Sequence, residues 1–372
     1  MKQSTLELDA AGLVPADRIA FDIGWDHAAH GLVPPLAVLH AAAPIFQGWQ
    51  AAKATFGPRT RASRRASRQW LALRLRAWQE GAFFDNELVT PNYLGQILAD
   101  ACPVMRTALT GVAGDPDAAV VIRIDDSAGY TAGNLVTLSA RAAEAREAVD
   151  LPQAVRRARQ AELVGEPVAG LDAGAWWRLA ALASFAQPVP FAEACRLPLA
   201  LLPPNRVRVV NAAQGLQALI TRIFMSPGWS GRCRDLAQML PEHTWRLDFN
   251  LFVGAMAPRV LEAPMDTTLR RLALEDAWLQ DRVQRRWQHL LLSVGETGVN
   301  NLLDRALNSQ PPGQRLWQHC PTPPNEPWSA PATPLMAMAR RRGLLIKKAG
   351  GGAVRQGPRE TVQTPTAQVT HV

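Results

Sequence analysis

Four side chains near the N-terminus carry the donor atoms of a metal site. They lie close together along the chain, as Asp22, Asp26, His27 and His30. Carboxylates and imidazoles are common protein ligands of divalent metals. One short segment rarely supplies a complete coordination sphere, and the sequence offers no further ligand at a suitable spacing nearby. We therefore predict a solvated or capping loop here and assign no metal ligand.

A basic segment follows, with four arginines at helical spacing. Arg61, Arg64, Arg65 and Arg68 stand at positions i, i+3, i+4 and i+7. In a helix, this spacing puts their guanidinium groups on one side of the first two turns. Like charges so placed repel one another, and an anionic partner would relieve that repulsion. The arginines are candidate contacts to nucleic-acid phosphates. The alternative is a solvated face, or one paired with the acids at 80–87.

The most informative spacing lies between residues 102 and 146. The pattern opens with Cys102-Pro103 and continues with Arg123-Ile124-Asp125, Gly129-Tyr130-Thr131, Gly133-Asn134 and Ser139-Ala140-Arg141-Ala142. Two short β-branched runs and a helical run contain these residues, so the pattern predicts a strand–strand–helix unit. An ordinary hairpin and helix, with the glycines and the asparagine serving only turn geometry, is the simplest interpretation.

This pattern resembles one branch of the HNH endonuclease superfamily. Members there carry a C-P-x-T opening, a DRID-x-S-x-GYT-x-x-N core and an S-x-R-A-N-x-A-K helix. The resemblance covers about residues 102–146 and implies a ββα module that places a divalent metal against a scissile phosphate. It makes Asp125 and Asn134 candidate catalytic residues. Arg123, Arg141 and Arg146 join the arginines at 61–68 as candidate nucleic-acid contacts.

The chain departs from that pattern at the two positions that carry the chemistry. Ile122 replaces the first acid of the core, and Ala143 replaces the helix asparagine. Neither side chain binds a metal or moves a proton. We therefore expect a degenerate module that binds DNA without nuclease activity and needs no cofactor. A divergent, active endonuclease is an alternative, with a divalent metal held by Asp125, Asp126 and Glu144.

The secondary structure predicted for the whole chain is mainly α-helical, with one small ββα module, so we expect an α+β fold overall. Residues 1–57 read as a loop followed by a helix. Residues 58–164 read as a basic helix from Thr60 to Gly81 and then the ββα module, with one long helix from Ala140 to about Leu163. Residues 175–310 read as a helical domain. Residues 311–372 read as a proline-rich linker and a disordered tail, with basic residues at 340–342, Lys347 and Lys348.

Composition limits the classes of function. Basic residues number 40 against 32 acidic ones, for a net charge of +8, and only four of the 40 are lysine. Four widely spaced cysteines argue against a disulfide framework and against a zinc knuckle. Common nucleotide-binding and hydrolase motifs are absent, as are a secretory signal and a membrane-spanning apolar run. We expect a cytoplasmic protein with DNA as its partner. A helical scaffold that binds another protein is the further alternative.

Overall fold

The structure, a computed structural model, describes residues 15–57, 60–61, 63–147, 149–309 and 318–319. Over these residues the chain is mainly helical, with thirteen α-helices, 60% helical content and a small antiparallel sheet. The predicted mainly α fold is confirmed. No described helix is both long enough and apolar enough to cross a bilayer. The predicted linker and tail at 311–372 lie outside the described residues, except for 318–319.

Two helices form the N-terminal part. They are α1, Pro15–Ala29, and α2, Pro44–Phe56, with a 3₁₀ turn at Leu36–Val38 between them. Their backbones approach closely at two glycines. A Cβ added to Gly24 would lie 1.9 Å from the Ile45 carbonyl oxygen, and one added to Gly48 would lie 2.0 Å from the Phe21 carbonyl oxygen. The loop predicted from residue 22 onward is therefore wrong up to Ala29, because these residues belong to α1. Gly24 lets α1 pack on α2 rather than marking a turn.

The basic helix starts later than predicted. Helix α3 runs Arg65–Gln79 and is followed by α4, Pro91–Ile97. Arg64 is the N-cap of α3 in extended conformation, and the Arg61 N–H donates to the Ala29 carbonyl at 2.8 Å. That tether to the end of α1 holds residue 61 outside the helix. The predicted start at Thr60 is wrong, so only Arg65 and Arg68 of the four arginines are helical.

A two-stranded hairpin and a helix follow, in the predicted order. Strands β1, Ala119–Arg123, and β2, Leu135–Ser139, pair antiparallel, with Ala119 opposite Ser139 and Arg123 opposite Leu135. Helix α5, Ala140–Glu147, continues directly from β2. The single helix predicted to reach about residue 163 is wrong. A second helix, α6, Leu151–Val164, starts at an Asp150 N-cap that forms a capping box with Gln153.

The remaining described elements are helices around one large core. They are α7 Ala173–Ala186, α8 Phe191–Ala194, α9 Ala212–Met225, α10 Trp229–Gln238, α11 His243–Glu262, α12 Thr267–Ala277 and α13 Asp281–Asn308, with β3 Arg208–Val209 pairing in parallel with β4 Gln318–His319. Trp176, Trp278 and Trp287 lie in this core and are fully buried. The same core includes Ile122 and Leu138 of the hairpin. The domain boundaries drawn from the sequence stay predictions.

Candidate nucleic-acid interface

The hairpin loop is organised by one buried amide. Asn134 has no exposed surface, and its Oδ1 accepts from the Asp125 N–H at 2.8 Å. Its Nδ2 donates to the carbonyls of Asp125 at 2.8 Å and Gly129 at 3.1 Å. These three bonds tie the start of the loop to its end across nine residues of sequence. The Asn134 side chain therefore makes these hydrogen bonds to the loop backbone.

Asp125 is likewise engaged within the loop. Its side chain is almost fully buried, and Oδ1 accepts from the Ser127 N–H at 3.0 Å and the Ser127 hydroxyl at 2.8 Å. This is the turn-forming use of aspartate, which holds the backbone two residues onward. Asp125 and Asn134 are brought together, but by the loop they build. Their catalytic assignment stays a prediction.

The glycines of the loop allow it to approach neighbouring backbone. A Cβ on Gly129 would lie 2.6 Å from the Phe83 carbonyl oxygen, which accepts from the Tyr130 N–H at 2.7 Å. Gly133 adopts a φ of 99°, and its N–H donates to the Tyr93 hydroxyl at 2.9 Å. Burial raises the pKa of Tyr93 to about 12, so its phenol stays neutral. The loop is thus fixed against the chain segment that follows α3.

Beside the hairpin lies a cleft of about 200 Å³ that contains Ile122 and six charged residues, and we call it the ion-pair cleft. Glu80 is its centre. It accepts from the Tyr130 hydroxyl at 2.8 Å, from Arg76 at 2.8 Å and from Arg123 at 3.3 Å. Burial raises the pKa of Glu80, but the hydrogen bonds from Tyr130 and Arg76 outweigh it and lower the pKa overall. Glu80 is therefore held as a carboxylate.

Two further carboxylates occupy the mouth of the ion-pair cleft. Asp126 pairs with Arg146, which also donates to the Ile124 carbonyl at 2.6 Å. Glu147 accepts from Arg76 at 3.1 Å and so joins α5 to α3. The three arginines of the cleft are thus matched by three acids. Ile122 lies where the resembling family has an acid, and it adds no ligand.

The residues of this region do not fit a divalent metal. Asp126 lines the ion-pair cleft, whereas Glu144 lines a different cleft, and the Asp125 carboxylate is engaged by Ser127. The three acids considered as a substitute site therefore do not converge. Within the described part of the chain, no group of three His, Cys, Asp or Glu residues is placed to hold a metal ion.

The two histidines of the N-terminal donor set are buried, whereas Asp22 is exposed and Asp26 is partly exposed. Asp26 pairs with Arg74, and His27 Nδ1 lies 2.8 Å from the Ile23 carbonyl oxygen. His30 packs its edge against the Trp70 ring at 6.3 Å. Burial lowers the pKa of both histidines, which are therefore neutral near pH 7. The predicted loop is wrong, because Asp22, Asp26 and His27 lie within α1 and His30 directly follows it. Of the four, only Asp22 is exposed as predicted.

The candidate arginines divide into two groups. Arg123, Arg141 and Arg146 each pair with an acid of the hairpin region, Arg141 with Asp117 at 2.9 Å. The other group, which we call the arginine segment, comprises Arg61, Arg64, Arg65 and Arg68. All four of its members are exposed, and none pairs with an acid among the described residues. The alternative of a face paired with the acids at 80–87 is not observed among the described residues, whereas the alternative of a solvated face agrees with the exposure of all four.

A larger, open cleft of about 760 Å³ adjoins the arginine segment. Its lining includes Arg65 and Gln69 of α3, Arg141 and Glu144 of α5, the 110–116 loop and the start of β1. We call this the open cleft. It places one member of the arginine segment next to the hairpin–helix unit.

Sequence reasoning missed several residues of both clefts. Gln69 and Arg76 lie on α3, Glu80 is its C-cap, and the three fall on one face with Arg65 by helical spacing. That spacing was the available signal, but Glu80 also bonds Arg123 and Tyr130, which lie far along the chain. No protein-family model, curated protein or solved structure matches the chain. Function is therefore inferred from the geometry of these two clefts and of the arginine segment.

Proposed function

We propose that this protein binds DNA through the arginine segment, next to a hairpin–helix unit that keeps the HNH shape without cleaving the strand. One observation carries the proposal: four exposed arginines lie within eight residues and have no acid partner among the described residues. Exposed, unpaired guanidinium groups are the side chains best suited to phosphate oxygens, because they form charge-assisted and often bidentate hydrogen bonds.

The contrast with the hairpin arginines supports this assignment. Arg123 and Arg146 are largely buried and already bonded to Glu80, Asp126 and the Ile124 carbonyl. A phosphate would have to displace those carboxylates to reach them. The arginine segment has no such competitor, so it is the first contact for a polyanion. Arg141 is more exposed than the other two and lines the open cleft beside Arg65.

The way in which the hairpin uses its polar groups supports a unit that does not cleave the strand. Ile122 and Ala143 carry no ligand atom, and both are buried. Asp125 and Asn134 serve the loop, and the acids of the ion-pair cleft are neutralised by arginines. Among the described residues, no group of three His, Cys, Asp or Glu side chains is placed to hold a metal ion. The proposed role of the unit is therefore to position the arginine segment and the open cleft.

A salt titration of DNA binding tests the proposal. The probe is a labelled, fully paired duplex, and the chain carries Arg61→Gln, Arg64→Gln, Arg65→Gln and Arg68→Gln together. Since the slope of log affinity against log salt is about −0.9 per neutralised phosphate, the variant should lose up to about 3.6 from the slope. The matched control replaces four other exposed, unpaired arginines with glutamine, at Arg156, Arg159, Arg232 and Arg234.

The control separates a located interface from a general effect of charge. Both variants lose the same net charge, so an equal fall in affinity for both would contradict the arginine segment as the binding site. No binding by the unchanged protein at low salt would contradict DNA binding itself. In that case the helical scaffold becomes the preferred function. Metal-dependent nicking of plasmid would instead favour the endonuclease alternative.

A further inference from the structure

The walls of the open cleft are made by small residues. Gly111, Ala113, Ala118, Ala119 and Ala140 line it, and Val112 and Val120 add apolar surface. At Gly111, an added Cβ would have no neighbour within 4 Å. Its volume of about 760 Å³ lies within the range of sites that bind small organic molecules. The open cleft therefore has space for a flat ring against a partly apolar lining.

Three polar side chains around the open cleft have no partner among the described residues. Arg65 supplies donors, Glu144 supplies acceptors and Gln69 supplies both. Arg65 and Gln69 are one turn apart on α3, and Glu144 stands opposite on α5. The other acid of the lining, Asp115, is engaged by the Thr110 hydroxyl at 2.9 Å and the Asp117 N–H at 2.9 Å. Arg141 is engaged by Asp117.

This set of groups discriminates between ligand classes. A phosphate would be attracted by Arg65 but repelled by Glu144, so the cleft is poorly built for a phosphate alone. A nucleobase offers apolar faces together with donors and acceptors on its edge. Carboxylates accept from base amino groups, arginine donates to base oxygens and nitrogens, and a guanidinium plane stacks on an unpaired base.

We infer that the open cleft takes one unpaired nucleobase of the strand that the arginine segment holds. The inference rests on the proposed DNA binding and adds the part of the strand that is recognised. The base lies between the 110–116 loop and α5, with its donor edge toward Glu144. Arg65, which belongs to both sites, bonds the adjoining phosphate or stacks on the base.

Two probes test this: a fully paired duplex and the same duplex with one unpaired, bulged nucleotide. The unchanged protein should bind the bulged probe about tenfold more tightly, since one good base contact set has this order of effect. Glu144→Ala removes a negative charge, so electrostatics alone predicts tighter binding to both probes. Loss of a base contact predicts the opposite sign on the bulged probe, with about a tenfold weakening there.

Gln69→Ala should weaken the bulged probe in the same way and leave the paired probe unchanged. The matched controls are Glu166→Ala and Gln160→Ala, which change exposed residues on or just after α6 and should not alter the preference. Circular dichroism checks that each variant is folded.

Three results would overturn the inference. One is equal affinity of the unchanged protein for both probes. Another is tighter binding of Glu144→Ala to both probes alike. Either leaves the proposed DNA binding intact. Failure of the unchanged protein to bind either probe at low salt would remove the proposed function, and this inference with it.

Discussion

Replacing Asn134 with alanine should destabilise the protein strongly, because this amide closes the hairpin loop. The side chain is fully buried and makes three hydrogen bonds, at 2.8, 2.8 and 3.1 Å. A typical intramolecular hydrogen bond contributes about 1 kcal/mol net, and its loss leaves buried backbone groups unpaired. We therefore expect Asn134→Ala to lower the free energy of unfolding by about 3 kcal/mol.

The measurement is urea unfolding of the full chain, with the free-energy change taken from the midpoint shift at an unchanged m value. Asn250→Ala is the matched control, because Asn250 is exposed on α11 and should change the stability by less than about 0.5 kcal/mol. A loss below about 1 kcal/mol for Asn134→Ala would refute the structural role. It would return Asn134 to the candidate catalytic residues.

Three further predictions follow from the same contacts. Gly129→Ala should lower the free energy of unfolding in urea by about 2 kcal/mol, because the added Cβ would lie 2.6 Å from the Phe83 carbonyl oxygen. Its control, Gly254→Ala, changes a helical glycine with no neighbour within 4 Å and should be neutral or stabilising. Burial lowers the pKa of His27 below the ordinary 6.5, so near that pH the unfolded chain binds more protons than the folded protein. The free energy of unfolding should therefore fall as the pH drops below about 6.5, and His27→Gln should flatten that fall. An unchanged pH profile in His27→Gln would contradict this role of His27. Adding a chelator should leave the melting temperature of the protein unchanged within about 1 °C, and a plasmid incubated with the protein and Mg²⁺ or Mn²⁺ should stay intact. A lower melting temperature with chelator, or metal-dependent nicking, would contradict the conclusion that the hairpin does not fit a metal.

The hairpin–helix unit could be predicted because its determinants are local. The β-branched runs, Gly133 and Asn134 all lie within the segment they shape. Gly133 has the positive φ that a turn glycine predicts. The break after α5 was missed although Asp150 and Gln153 were present as a capping pair.

Long-range contacts decided the parts that the sequence did not predict. A loop was predicted around Asp22 to His30, but Gly24 within it permits the close approach of α1 to α2. The start of α3 was misplaced because the tether from Arg61 to Ala29 is tertiary. Glu80 meets Arg123 and Tyr130 more than forty residues away, so no local pattern joins the two sides of the ion-pair cleft.

The most direct test of the account is the salt dependence of duplex binding by the unchanged protein and by the variant with all four arginines of the segment replaced by glutamine. We predict binding at low salt with a steep negative slope, a variant slope shallower by up to about 3.6, and a control variant whose slope is unchanged. Binding that is absent, insensitive to salt, or equally weakened in the control would contradict DNA recognition by the arginine segment.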